Sequence, residues 1–192
     1  MEEIRSFIAI ELPREVKLAL ARLQNRLKSG SRAPIKWVDP DIIHLTLKFL
    51  GNISPDIIGR ITAALEEACH GVIPLHLEIT EPGVFPNTRR VQVVWVGLTG
   101  EVERLGQLQK CIDSRLEPLG FKAETRPFAP HLTLARVREQ ATPDERQNLG
   151  QLVTGATLEG GGSLNVEAVH LMRSQLTSKG PVYTRIGSVT LK

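Results

Sequence analysis

Apolar residues recur at every second position from Ile43 to Phe49 (Ile43, Leu45, Leu47, Phe49), with His44, Thr46 and Lys48 between them. A period of two belongs to an extended chain. The spacing therefore predicts a strand with an apolar back and a polar front, closed by Gly51. Similar strand-like runs are RSFIAIEL, IPLHLEIT, RVQVVWVGL, HLTLARV, SLNVEAVHLMRS and PVYTRIGSVTL. Between them lie segments with helical spacing. Residues 13–30 put Val16, Leu20, Leu23 and Leu27 on one stripe, with Pro13 at the first turn. Residues 54–71 offer Ser54 as N-cap and Pro55 behind it, then Ile57, Ile58, Ile61, Leu65 and Ala68. Residues 100–120 and 142–155 predict two more helices, the second with a capping box from Thr142 to Glu145.

This order repeats. IAIELPREV matches VWVGLTGEV, HLTL at His44 matches HLTL at His131, SPD matches TPD, and LHLE matches LNVE, at offsets that grow from 86 to 89 residues. An ordered series of matches predicts a duplicated unit, with halves of about 5–90 and 91–192, inside one domain. Two copies are too few for a solenoid. They predict two similar lobes facing one another about a pseudo-twofold axis. The Gly-rich stretch 155–165 carries no phosphate-binding pattern and is expected to be a loose connection without chemistry.

Composition narrows the class. Of the 192 residues 41% are hydrophobic, enough for a sizeable core, and 23% are charged, which argues against wholesale disorder. The net charge of +3 tolerates an anionic partner without demanding one. Cys69 and Cys111 have no metal or redox spacing, so a reduced, cytoplasmic protein is expected, with Cys69 buried on its helix. The acidic start and short first apolar run predict neither a signal peptide nor a membrane span.

The chemistry sits in the two HLTL strands. In each, a histidine and a threonine share the polar face. If the lobes face one cleft, two imidazoles lie across from each other, each with a hydroxyl beside it. Histidine titrates near neutrality, so one ring can be neutral and the other charged at one pH. Such a pair can take a proton from water and give one to a leaving oxygen. The hydroxyls of Thr46 and Thr133 can donate to phosphate oxygens. A hydrolytic zinc site needs a third protein ligand, and neither motif carries an acid just after its histidine, so no metal and no cofactor are expected. No GxSxG supports a serine nucleophile. His70, His76 and His170 have no repeated partner and are expected at the surface or a boundary. Trp37 and Trp95 flank strands and are expected in the core.

The paired HLTL motifs, RSFIAIELP, IKWVDPDIIHLTLKFLG, FPNTRRVQVVWVGL, RPFAPHLTLAR and LMRSQLTSKGPVYTRI resemble the two-histidine phosphoesterases, and among them the LigT-like RNA 2′,3′-cyclic phosphodiesterases. The resemblance covers nearly the whole chain. It implies an α+β fold of two lobes, antiparallel sheets lining a central cleft and helices outside. It implies metal-free opening of a terminal 2′,3′-cyclic phosphate on RNA to a 2′-phosphomonoester. The implied roles are proton donor for His44, proton acceptor for His131 and phosphate contacts for Thr46, Thr133 and Arg136. The implied partner is RNA with a cyclic-phosphate end, tRNA fragments among the candidates, handled by a monomer away from membranes. In a regular strand Arg136 faces opposite to His131 and Thr133, so its role requires a strand end or a bulge just after Leu134. Three alternatives stay open. One is 2′–5′ RNA ligation at the same site. Another is a small cyclic-phosphate nucleotide as the true substrate. The third is a non-catalytic RNA-end-binding module using aromatics with Arg89 and Arg90.

Overall fold

The structure is a computed structural model that describes residues 3–160, 162–178 and 180–192. Its strands are β1 (Ile4–Glu11), β2 (Ile35–Trp37), β3 (His44–Ile53), β4 (Leu75–Phe85), β5 (Val93–Gly100), β6 (His131–Val137), β7 (Ser163–Val166), β8 (Ala168–Thr177) and β9 (Gly180–Thr190). Its helices are α1 (Arg14–Gly30), α2 (Ile58–Cys69), α3 (Val102–Leu116) and α4 (Pro143–Thr154). One antiparallel sheet has the order β3-β1-β8-β9 and the other β2-β6-β5-β4-β7. The α+β class expected from the sequence is the one observed. Each sheet draws strands from both halves of the chain: β2 and β4 join β5, β6 and β7, while β8 and β9 join β1 and β3.

The helical stripes are buried where their spacing puts them. Val16, Leu20, Leu23 and Leu27 of α1 lie in the core, as do Ile61, Leu65 and Ala68 of α2. The Thr142–Glu145 capping box is formed at α4. Several boundaries differ from expectation. Residues 55–57 form a 3-10 turn before α2, because the Ser54 hydroxyl turns to the Asp56 carboxylate instead of capping the backbone. SLNVEAVHLMRS breaks at Glu167 into β7 and β8, so β7 begins inside the Gly-rich stretch. That stretch is also held rather than loose: Arg26 of α1 pairs with Glu159, and a Cβ at Gly162 would lie 2.7 Å from Val16. Gly161 lies outside the described residues. Three-residue β2 has too short a period to be read from the sequence.

Both motif strands are bulged at the same place. Against β1, the register steps over Leu47, from Ile8↔Lys48 to Ala9↔Thr46, and again over Leu50. Against β5, it steps over Leu134, from Val94↔Ala135 to Trp95↔Thr133. An extra residue flips everything beyond it to the other face. Lys48 therefore turns inward and Phe49 outward, where it is 71% exposed. The expected buried Phe49 and solvent-facing Lys48 are both corrected by this bulge. Each bulge is braced by a buried glutamine from a helix of the other half of the chain. Gln24 Nε2 of α1 donates to the Leu134 carbonyl at 3.0 Å, and Gln109 Nε2 of α3 reaches the Leu47 carbonyl at 3.5 Å.

Inward-turned Lys48 needs a partner in the core, since an unpaired buried charge is costly. Its ammonium binds the Asp113 carboxylate of α3 and the Lys122 carbonyl at 2.8 Å. Asp113 also accepts from Gln109 at 3.0 Å and from the Glu124 backbone N–H at 3.3 Å. This cluster ties β3 to the loop that leads into β6.

Candidate active site

Each motif opens its strand directly after a turn. Residues 40–42 form a 3-10 turn capped by Asp39, whose carboxylate accepts from Asp41 N–H at 3.0 Å. His44 follows, with Nδ1 2.8 Å from the Ile42 carbonyl. His131 follows the loop over Phe128, Ala129 and Pro130, with Nδ1 2.7 Å from the Ala129 carbonyl. A carbonyl oxygen only accepts, so in both rings Nδ1 carries a proton and donates it. That fixes the tautomer and leaves Nε2 as the ring nitrogen free of the backbone in both. Neither Nε2 has a hydrogen-bond partner among the described residues, and the hydroxyls of Thr46 and Thr133 have none either.

β1 and the C-terminal hairpin β8–β9 build the wall around His44. Glu11 pairs with His44 and Ala9 with Thr46 across β1 and β3. Phe7 stacks on the imidazole at 4.7 Å between centroids, and Tyr183 meets it edge-on at 5.1 Å. Phe7, Ala9, Met172 and Tyr183 form a small apolar cluster separate from the main core. Burial is the main cause holding the His44 pKa below its ordinary value, aided by nearby Lys17 and opposed by the Ile42 carbonyl and Glu11. Glu11 is itself bound by Arg185, and its carboxylate lies 3.7 Å from His170 Nε2. His170, expected at the surface or a boundary, is instead only 7% exposed and shares a hydrogen bond with the Ser188 hydroxyl at 3.0 Å. The Ser188 hydroxyl and the Glu11 carboxylate near its two ring nitrogens explain why a buried histidine is tolerated there. Burial first, then Arg185, pushes its pKa down, with Glu11 opposing. His70 and His76 are exposed, as expected.

His131 has a different wall. Gly97, Trp95 and Val93 of β5 face His131, Thr133 and Arg136, and Phe85 of β4 meets the His131 ring edge-on at 5.2 Å. Trp95 stacks with Phe85 at 4.9 Å and lies over Gly83, where a Cβ would come within 2.4 Å of the indole. Trp95 is thus part of the site face, not of the core where it was expected. Trp37 does pack against the core, half-buried, under the Lys28 ammonium. The alternation was the available signal, because Val94 and Val96 are fully buried and their odd-numbered neighbours must face the other way.

The bulge at Leu134 supplies the condition that Arg136 needs. Beyond it, Arg136 returns to the face of His131 and Thr133. Burial raises the Tyr183 phenol pKa, with Arg5 and Arg136 opposing the rise. β3 and β6 also lie side by side where the two sheets approach. Among the described residues no group of three His, Cys, Asp or Glu side chains is gathered as a metal site would require. Nor is any helix among them long and apolar enough to cross a membrane. Cys69 is buried, its thiol pushed up to about 11 chiefly by burial, which suits a structural role.

Known proteins share both sequence and fold with this chain. The family model described as LigT like phosphoesterase matches the chain twice, over residues 10–95 and 96–183. An RNA 2′,3′-cyclic phosphodiesterase of Methanothermobacter thermautotrophicus is 36% identical over 95% of this chain and 96% of its own. One from Methanocaldococcus jannaschii is 30% identical over 94% and 96%. The solved structure of Escherichia coli LigT in apo form superposes with a TM-score of 0.78 at 25% identity, covering 100% of this chain and 99% of that one. With two family-model matches that together span most of its length, and two histidine–threonine strands braced in the same way, the chain belongs to the LigT-like phosphoesterase family.

Proposed function

We propose that the protein is an RNA 2′,3′-cyclic phosphodiesterase that opens a terminal cyclic phosphate to a 2′-phosphomonoester. The observation that carries this reading is the matched pair of imidazoles, each with Nδ1–H held by a backbone carbonyl and Nε2 left for proton transfer. His131 Nε2 takes a proton from water as its oxygen attacks phosphorus. The bond from phosphorus to O3′ breaks, and His44 Nε2–H protonates the leaving oxygen. Thr46, Thr133 and Arg136 donate to the non-bridging oxygens, where charge builds up in the transition state. The relatives named RNA 2′,3′-cyclic phosphodiesterase support the substrate class, as does a solved structure of E. coli LigT complexed with 3′-AMP. Both motifs lie in one chain, so the reading needs no second copy. The free thiols Cys69 and Cys111 favour a reducing compartment such as the cytoplasm.

The test is incubation with RNA ending in a 2′,3′-cyclic phosphate, EDTA present, and identification of the product isomer. Full activity in EDTA and a 2′-phosphate product are expected. Activity lost to EDTA and restored by one added metal, or a 3′-phosphate product, would overturn the mechanism. Adding a 5′-hydroxyl RNA separates hydrolysis from 2′–5′ joining.

The pH dependence follows from the His44 surroundings. The acid must be protonated, and in the free protein burial holds its pKa below 6.5. A bound phosphate anion adds opposite charge and raises it. Since kcat/KM reports the free protein and kcat the complex, both profiles are expected to be bell-shaped with limbs that belong to the coupled pair of histidines, and the kcat profile is expected to lie at higher pH. Coincident limbs would assign the acid to some other group.

A further inference from the structure

A run of cations leads away from the His131 side of the site. Lys36 on β2 is the direct cross-strand neighbour of Arg136 on β6, and both are exposed. Like charges placed opposite each other on a sheet are destabilising. Yet among the described residues no carboxylate lies within 4.0 Å of the charged atoms of Lys36, Arg136, Arg89, Arg90 or Arg138. Glu139, next to Arg138 in the chain, pairs with none of them.

The segment that carries Arg89 and Arg90 is built to hold its shape. It starts at Phe85, the residue edge-on to His131, and ends at Val93, the partner of Arg136. Asn87 Oδ1 accepts from the backbone N–H groups of both arginines, at 3.1 and 3.0 Å. Gln92 N–H closes the turn onto the Phe85 carbonyl at 2.8 Å. Helix α4 sits directly on the loop, where a Cβ at Gly150 would lie 2.2 Å from the Thr88 carbonyl oxygen. The Arg146 guanidinium of α4 donates to the Val91 carbonyl at 2.6 Å and the Arg138 carbonyl at 3.0 Å, pinning the two arginine-bearing segments together. A braced loop that carries two cations without a carboxylate partner among the described residues, and whose ends lie beside His131 and Arg136, fits a run of phosphates.

We infer that Arg89 and Arg90, continuing the line of Lys36 and Arg136, form a track for the phosphodiester backbone of a single RNA strand whose cyclic end lies in the cleft. The inference rests on the proposed function and narrows its substrate to a polynucleotide of several phosphates. Contacts to phosphate are independent of base, so the track confers a preference for chain length and not for sequence.

The test compares a 2′,3′-cyclic mononucleotide with a short oligoribonucleotide ending in a 2′,3′-cyclic phosphate, using the parent protein and the double variant Arg89→Gln/Arg90→Gln. The parent is expected to favour the oligonucleotide in kcat/KM by roughly tenfold or more at low salt, an advantage that shrinks as salt rises. The variant is expected to lose most of that advantage, with the slope of log(kcat/KM) against log[salt] flatter by roughly 1.4 for two lost phosphate contacts. Its turnover of the mononucleotide stays at the parent level. An unchanged oligonucleotide advantage and slope in the variant would overturn the track. Binding of a labelled oligonucleotide bearing a terminal 2′-phosphate, read by anisotropy, separates the two readings without requiring turnover. If the parent hydrolyses neither substrate but binds this strand through Arg89 and Arg90, the reaction is wrong and the track stands. If parent and variant bind it equally, the track is wrong whatever the reaction.

Discussion

His131→Ala is expected to lower turnover of a cyclic-phosphate end by roughly 10²–10⁴-fold, the ordinary range for a positioned general base. The loss should persist whatever the leaving group, because water must still be deprotonated. His44→Ala should cost a similar factor on RNA but much less on a phosphodiester with a good phenolate leaving group, which departs without a proton. Measuring both variants on both substrates separates the roles. Recovery of His131→Ala with the phenolate ester, and none for His44→Ala, would exchange the donor and the acceptor while leaving the reaction class intact. Nothing in the two motifs predicts an asymmetry by itself. Both rings have the same backbone tether, at 2.8 and 2.7 Å. The difference arises from what surrounds them: His44 lies between Phe7 and Tyr183, while His131 meets Phe85 alone.

The second large effect is on stability. Lys48→Ala leaves the Asp113 carboxylate in a pocket where both side chains are at most 10% exposed. Removing one member of such a pair costs about 3–5 kcal/mol. That is a large share of the roughly 5–15 kcal/mol by which a domain is normally stable. Urea unfolding should show a lower midpoint with an unchanged slope. Lys48→Met/Asp113→Leu is expected to recover part of the loss, since two apolar side chains leave no charge unpaired, although Gln109 and the Glu124 N–H then lose an acceptor. A midpoint unmoved by Lys48→Ala would mean that Asp113 is reached by water.

The sequence made the helical stripes and the position of the two motifs legible because each rests on local periodicity or on an exact repeat, while the α+β class comes from the family resemblance. The bulges were not legible. Leu47 and Leu134 look like ordinary alternating leucines, and only the register against β1 and β5 shows that each is an extra residue. Hence alternation alone puts Phe49 and Lys48 on the wrong faces, and the face of Arg136 depends on a bulge that only strand pairing shows. Gln24 and Gln109 were equally silent, since a glutamine within a helical stripe gives no sign that it will reach a carbonyl on a strand far along the chain. Glu11, Tyr183 and His170 belong to the site through β1 and the β8–β9 hairpin, whose adjacency to β3 is a fact of topology and leaves no trace in spacing.

The paired bulges also bear on direction. A cyclic phosphate offers two ester oxygens, and a cleft with true twofold symmetry would accept it in either sense and release either one. The bulges bring one residue from each half to equivalent places beside the histidines: Phe49 after the first motif and Arg136 after the second. One is an exposed aromatic ring and the other a fixed positive charge. If the proposed function holds, an anion drawn to the guanidinium of Arg136 rather than to the ring of Phe49 enters in only one sense. Under the proposed function, which ester oxygen leaves is then set not by the histidines, which are alike, but by the unlike side chains five residues beyond them, Phe49 in one strand and Arg136 in the other.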